Sequence, residues 1–464
     1  MSDLAALSAV ELEAGYRSGK FSPVEVATAV LDRAEALNPK VNAFVLLDRE
    51  AAIAGARQSE ARWRAGAPLG PLDGVPVSIK DLLLTNGWPT LRGSKLIARD
   101  QPWTEDAPVV ARLREAGAIL FGKTTTPEFG WKALGDSPLT GITCNPWNLA
   151  HTPGGSSAGA AAGLAGGIGP LAVGTDGGGS IRIPGSFSGV FGLKPTFGRV
   201  AAYPPNPFGA VAHIGPMSRS VSDAARMLSV LSGFDDRDPW SVPPERRDFA
   251  AGIDAGAVGL RIGYSPALGY AKVDPEVSAA VDRAAQAFAA LGAHVDAAEP
   301  GFANPRDAFM TLWTTGAARL LSAFAAPALA QVDPGLVSSA KFGAGKTALD
   351  YLAADAVRND TAQAMIRFHR RYDLLLTPTV AVPALPVGYD LHDPKHETHW
   401  IDWTPFSYPF NLTRQPAATV PCGLTKAGLP IGFQLVGRYH DEGTVLRAAR
   451  AYEVAHPWRR IAPI

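Results

Sequence analysis

TPGGSSAGAAAGLAGGIGPLAVGTDGGGSIRIPGSFSGVFGL, residues 152–193, contains 14 glycines, yet it does not read as a linker. A flexible Gly/Ser linker is polar and featureless. Here Leu164, Ile168, Leu171, Val173, Ile181, Ile183, Phe187, Val190 and Phe191 stand among the glycines. Glycine mixed with large apolar residues marks backbone packed on backbone, or positive-φ turns, within a core. The stretch holds two charges, Asp176 and Arg182. Unpaired buried charge is costly, so these two should pair or serve a function. Ser156-Ser157 and Ser180 each follow glycines, and the chemistry is expected there.

On both sides of this segment, strand and helix patterns alternate. Ser22-Pro23-Val24-Glu25 has the form of a capping box with Pro at the first helical position. Val24, Ala27, Val30, Leu31, Ala34 and Leu37 follow at helical spacing, and Asn38-Pro39 is expected to end that helix. Residues 41–48 read as a strand and 49–65 as a polar helix. In residues 71–81, Val75, Val77 and Ile79 alternate with Pro76, Ser78 and Lys80, the period of a strand. Further strands are read at 118–124, 260–265, 372–379, 417–423 and 429–437, with helices at 105–116, from 274 to 292, and from 441 to about 454. The alternation predicts an α/β fold, a central mixed β-sheet covered by helices on both faces. Residues 304–371 read as mostly helical, a lid or outer layer.

Composition narrows the function. Lys+Arg and Asp+Glu balance at 43 each, which implies no basic surface for nucleic acid. No apolar run reaches the roughly 18 residues of a membrane span. The first 20 residues, amphipathic with early Asp3 and Glu11, do not read as a signal peptide. Two cysteines, Cys144 and Cys422, offer no disulfide framework, so a reducing cytoplasm is expected.

Ser180 follows GTDGGG. A serine hydroxyl is a weak nucleophile that needs a base and donors for an oxyanion. Three successive glycines let backbone N–H groups converge without side-chain obstruction; the same run also suits a plain tight turn or an anion nest. Lys80 ends an apolar strand beside Asp81. A desolvated lysine loses basicity and can act as a base, while a nearby Asp opposes the shift. Gly117–Thr124 fits the phosphate-loop pattern GxxxxGK[ST], but a helix precedes it and its interior, AILF, is a strand. His392, His396 and His399 have a metal-like spacing within a polar segment that reads as a solvated loop, and no metal is assigned. Cys144 has no evident histidine partner and reads as a packed thiol.

Lys80, Gly155-Ser156-Ser157 and GTDGGGSIRIP, in this order and spacing, resemble the amidase signature family of serine amidohydrolases. GVPVSIKD, TPEFGW, NPWN, FGLKPTFGRV, FNLTRQPAATVPCG and LPIGFQLVG extend the resemblance over about residues 22–455. It implies one domain over residues 1–464 with a signature core at about 70–220. It implies Ser180 as nucleophile, Ser156 as the middle serine after a cis peptide bond, and a neutral Lys80 as base, a triad without histidine. The N–H groups of Gly177, Gly178, Gly179 and Ser180 would form the oxyanion hole. Asp176 and Arg182 would pair, and Ser157 and Thr175 would support the site. No cofactor is implied. The partner is a small-molecule amide, with a homodimer as a family-level expectation.

Substrate determinants are expected in the aromatic residues near these motifs: Phe129, Trp131, Phe208, Trp313, Trp403 and Phe406, with Tyr203 and Phe410 beside them. Core packing accounts for about half of such residues. If several line the site, a small apolar or aromatic carboxamide suits it, with esters, anilides and carbamates open to the same machinery. Ala158 stands where the family usually has glycine. The competing function is the glutaminase component of a tRNA-dependent amidotransferase. Such components carry an acidic residue for the glutamine amino group, where this chain has Thr404, with Asp402 two residues away.

Overall fold

A computed structural model describes residues 3–243 and 247–464; Met1 and Ser2 of the opening segment lie outside the described residues. Among these residues, eleven strands form one mixed sheet. In spatial order they are Phe44–Leu47, Ile119–Thr124, Pro76–Lys80, Leu171–Asp176, His213–Ser218, Phe191–Lys194, Ala417–Leu424, Pro430–Gly437, Leu374–Pro378, Arg261–Tyr264 and His294–Ala297. Side chains alternate across a strand, and the packing follows that rule. Leu171, Val173, Phe433, Leu435, Leu374 and Leu376 enter one core cluster with Val30, Leu113, Leu228, Phe288 and Leu446. Leu375, Val436 and Ala417 face the other way, onto Phe309, Leu312, Leu336 and Phe368. Helices therefore cover both faces, as the α/β reading expected. None of the described helices is long and apolar enough to cross a membrane.

The segment expected to be mostly helical holds Arg306–Leu321, Pro334–Ala344 and Ala348–His369. It packs on the second face, where the glycine-rich turn also emerges.

One local expectation changed. The first long helix, Pro23–Val41, runs through Pro39 rather than ending there. Pro39 forfeits one donor, but the last turn persists because Asn42 caps it at φ 49° and donates its N–H to Asn38 O at 2.8 Å. Asn38 then turns the chain outward, its Oδ1 accepting from the N–H groups of Ala43 and Phe44. In Pro76–Lys80, read as a strand, all five residues are buried. The strand lies between two parallel neighbours, and parallel strands are covered on both faces. Ser78 and Lys80 thus point into protein.

Candidate active site

The parallel register Ile79↔Val173 sets the carboxyl ends of strands Pro76–Lys80 and Leu171–Asp176 side by side. Lys80 and Thr175 meet there. Ser156 and Ser157 arrive from the start of helix Ala158–Ala165, whose alanines and glycines let it lie close beneath the sheet. Ala158 fits that contact; it is fully buried and ends against Gly135. The Gly155–Ser156 peptide is cis, and a Cβ on Gly155 would fall 2.1 Å from Leu134 O, so only glycine fits.

Lys80 Nζ lies 2.7 Å from Ser156 Oγ, 2.9 Å from Thr175 Oγ1 and 3.0 Å from Ser157 Oγ. Burial pushes its pKa well below the usual lysine value, against the opposing charge of Asp176. In its neutral form the amine would have two N–H donors and one lone pair to share among the three hydroxyls. Ser157 donates its own proton to Thr175 O at 3.2 Å, so toward Lys80 it can only accept. In that form the lone pair would fall to Ser156 or Thr175. The Ser157 N–H donates to Ser180 O at 3.1 Å and ties the two serine clusters together.

The glycine turn follows directly. Ser180 is 7% exposed, more open than Ser156 at 1% and Lys80 at 0%. Gly179 adopts φ 123°, and a Cβ there would strike Ser407 and Ile183 at 2.6 Å. Its N–H was expected to serve an oxyanion but is already taken, donating to Asp176 Oδ1 at 2.7 Å. Among the described residues, the N–H groups of Gly177, Gly178 and Ser180 meet no such acceptor.

Asp176 and Arg182, both wholly buried, form a two-pronged pair at 2.9 Å. Burial alone would raise the Asp176 carboxyl; the Arg182 guanidinium overrides it and holds the group well below the carboxylate range. Arg182 also donates to Ser407 O, Gln434 Oε1 and Asn411 Oδ1, and Asn411 Nδ2 returns to Asp176. Ser407, Asn411 and Gln434 were not singled out in the sequence. They lie more than 220 positions from Arg182, and no local spacing marks them. Asp176→Ala would strand the guanidinium in the interior. It should cost about 3–5 kcal/mol by chemical denaturation; a loss under about 1 kcal/mol would show that the pair does not clamp the turn.

The aromatic candidates divide. The Trp313 ring packs on Gly177, 2.8 Å from where a Cβ would sit, and Phe208 stacks on Trp313 at 4.0 Å. Trp131 O accepts from Trp313 Nε1 at 3.1 Å. Phe129 lines a small cavity of about 70 Å³ that also touches Thr175 and Tyr203, and a Cβ on the adjacent Gly130 would approach Ser156 Oγ to 3.2 Å. Trp403 and Phe406 are taken up in packing: Trp403 stacks on Phe187 and donates to Asp390 O, and Phe406 is fully buried with its carbonyl on Gln434. Phe410 packs on Phe302. Phe309 and Trp400, not among the candidates, both face Gly178.

The two misleading patterns also have places. Lys123 is fully buried in strand Ile119–Thr124, donating to Leu83 O at 2.6 Å and Thr90 Oγ1 at 2.8 Å. A phosphate-loop lysine must be free to reach phosphate. His392 and His396 pair with different carboxylates, Glu397 and Asp393, while His399 accepts from the Ile401 N–H.

The amidase family profile matches residues 25–446. The chain is 39% identical to an acylamidase of Rhodococcus erythropolis, over 97% of this chain and 96% of that protein. It is 38% identical to the A-type component of the glutamyl-tRNA(Gln) amidotransferase of Myxococcus xanthus, over 99% of each. Among solved structures, a bacterial aryl acylamidase of the amidase signature enzymes superposes with a TM-score of 0.92 at 32% identity, covering 98% of this chain and 97% of that one. With such matches along almost its whole length, the chain belongs to the amidase signature family.

Proposed function

We propose that the protein is a serine amidohydrolase that cleaves the C–N bond of a small apolar or aromatic carboxamide through an acyl-enzyme on Ser180. The observation that carries this reading is the buried Lys80 amine, 2.7 Å from Ser156 Oγ with no carboxylate among its hydrogen-bond partners. Ser180 Oγ attacks the amide carbonyl carbon while its proton passes through Ser156 to Lys80. The oxyanion rests on the N–H groups of Gly177, Gly178 and Ser180. Lys80 returns the proton by the same path to the leaving nitrogen as the C–N bond breaks. Water then attacks the acyl-enzyme, giving a proton to Lys80 that returns through Ser156 to the Ser180 oxygen as its bond to the acyl carbon breaks and the carboxylic acid leaves. Trp313, Phe309 and Trp400 beside the glycine turn favour an apolar acyl group. The continuous eleven-stranded sheet supports reading the chain as one domain, and the two free thiols suit the cytoplasm.

The similarity to a tRNA-dependent amidotransferase component raises a glutaminase reading, which two contacts disfavour. Thr404 is neutral and its hydroxyl donates to Ile401 O at 3.0 Å. Asp402 is engaged by Arg306 and by the N–H groups of Thr398 and His399, so it is not free to hold an amino group. A panel of anilides, aliphatic amides, esters and glutamine, assayed for released amine or ammonia, tests the choice. Anilide and amide turnover by the isolated chain is expected. Glutamine turnover alone, appearing only with partner proteins, would reverse the assignment.

A further inference from the structure

A cavity of about 540 Å³ opens between helix Ala348–His369, the residues leading into strand Ala417–Leu424, and the end of strand Pro430–Gly437. None of the residues proposed for hydrolysis lines it. Four arginines do: Arg358, Arg370, Arg414 and Arg438. Asp355 answers Arg358 at 2.5 Å, and Asp373 answers Arg438 at 2.8 Å. Arg370 and Arg414 meet no carboxylate within salt-bridge distance among the described residues.

Arg414 is held in place. Its backbone has φ 63°, its guanidinium lies over the Phe197 ring at 4.7 Å, and its Nε is buried with no acceptor. Burial first, and the charge of Arg358 second, lower its pKa, with Tyr439 and Asp355 opposing. The neighbouring Thr413, more than nine-tenths buried, leaves its hydroxyl without a partner. His369 does not add charge, because burial lowers its pKa to about 4. Ile366 and Leu412 supply an apolar wall.

The Arg414 Nε and the Thr413 hydroxyl are buried donors without an acceptor, and guanidinium outnumbers carboxylate around them, so an anion would be favoured there. Guanidinium forks match a carboxylate in geometry, and the volume is that of a small-molecule site. We propose that this cavity binds a small organic carboxylate, its head on Arg370 and Arg414 and its apolar body against Ile366 and Leu412. The site stands independently of the hydrolytic reading.

Titration calorimetry with phenylacetate tests it, with benzyl alcohol as the neutral comparison and sulfate as the anion without an apolar body. Phenylacetate should bind at one site, more weakly as salt rises, and neither comparison compound should displace it. Arg414→Gln and Arg370→Gln should each weaken binding at least about tenfold. Arg370 is exposed, so its variant keeps the test valid should Arg414→Gln fail to fold. Phenylacetate held at the Ser180 site would bind both variants as it binds the wild type, and that result would overturn the proposal. Equal competition by sulfate, or no binding at about 10 mM, would overturn it too.

Discussion

Ser180→Ala should lower amide turnover by about 10⁴–10⁶-fold, with the melting temperature unmoved by more than a few degrees. Both halves follow from the geometry. The Ser180 hydroxyl has no hydrogen-bond partner among the described residues, so its removal leaves no buried group unpaired. Its backbone N–H and C=O remain, the latter still accepting from Ser157. The glycine turn stays clamped by Asp176 and Arg182. Only the attacking oxygen is lost. The residual rate reports what the N–H donors and binding alone provide. A variant that keeps more than about a hundredth of wild-type kcat would remove Ser180 as nucleophile.

Lys80→Met should cost about 10²–10⁴-fold in kcat/KM, the usual contribution of a positioned general base. The pH profile makes the test specific. Because burial lowers the Lys80 pKa, the amine is protonated at low pH and neutral above its depressed folded value. Wild-type kcat/KM should therefore rise with pH and level off, and the variant should lose that rising limb. Stability has the same sign. Between the depressed folded pKa and the ordinary unfolded value, the unfolded chain binds more protons, so this group makes stability increase with pH. The slope should be shallower in Lys80→Met, as read from denaturation midpoints at several pH values, with buried Lys123 and Lys194 supplying what remains. A variant with an unchanged activity limb would exclude Lys80 as the base, even if its rate were low.

Much of this site was legible because it is local in sequence. Ser156-Ser157 and the turn 176–180 lie within one 42-residue segment whose glycines allow close backbone approach, and such constraints write themselves into residue type. The strand holding Lys80 was legible by its period, and its apolar neighbours argued against full exposure of Lys80, but what buries its polar face was not legible. That burial depends on a parallel neighbour on each side and a helix beneath, none of which the strand's own residues encode. Trp313 could be proposed as an aromatic near the helical segment, while Phe309, on the same helix, could not be told from core.

The sequence by itself determined the α/β class, the two serine clusters and the two lone charges Asp176 and Arg182, because periodicity and glycine placement are short-range properties, while Lys80 as base and the pairing of those charges followed from the family resemblance. Only the tertiary structure decided which groups meet. It set the Lys80 amine among three hydroxyls and gave the Gly179 N–H to Asp176. It closed the clamp with Ser407, Asn411 and Gln434 from the far end of the chain. It also gathered Arg358, Arg370, Arg414 and Arg438 around one cavity. The physical reason is that desolvation and hydrogen-bond partnership are set by whichever elements fold alongside, and segments distant in sequence carry no mark of that proximity.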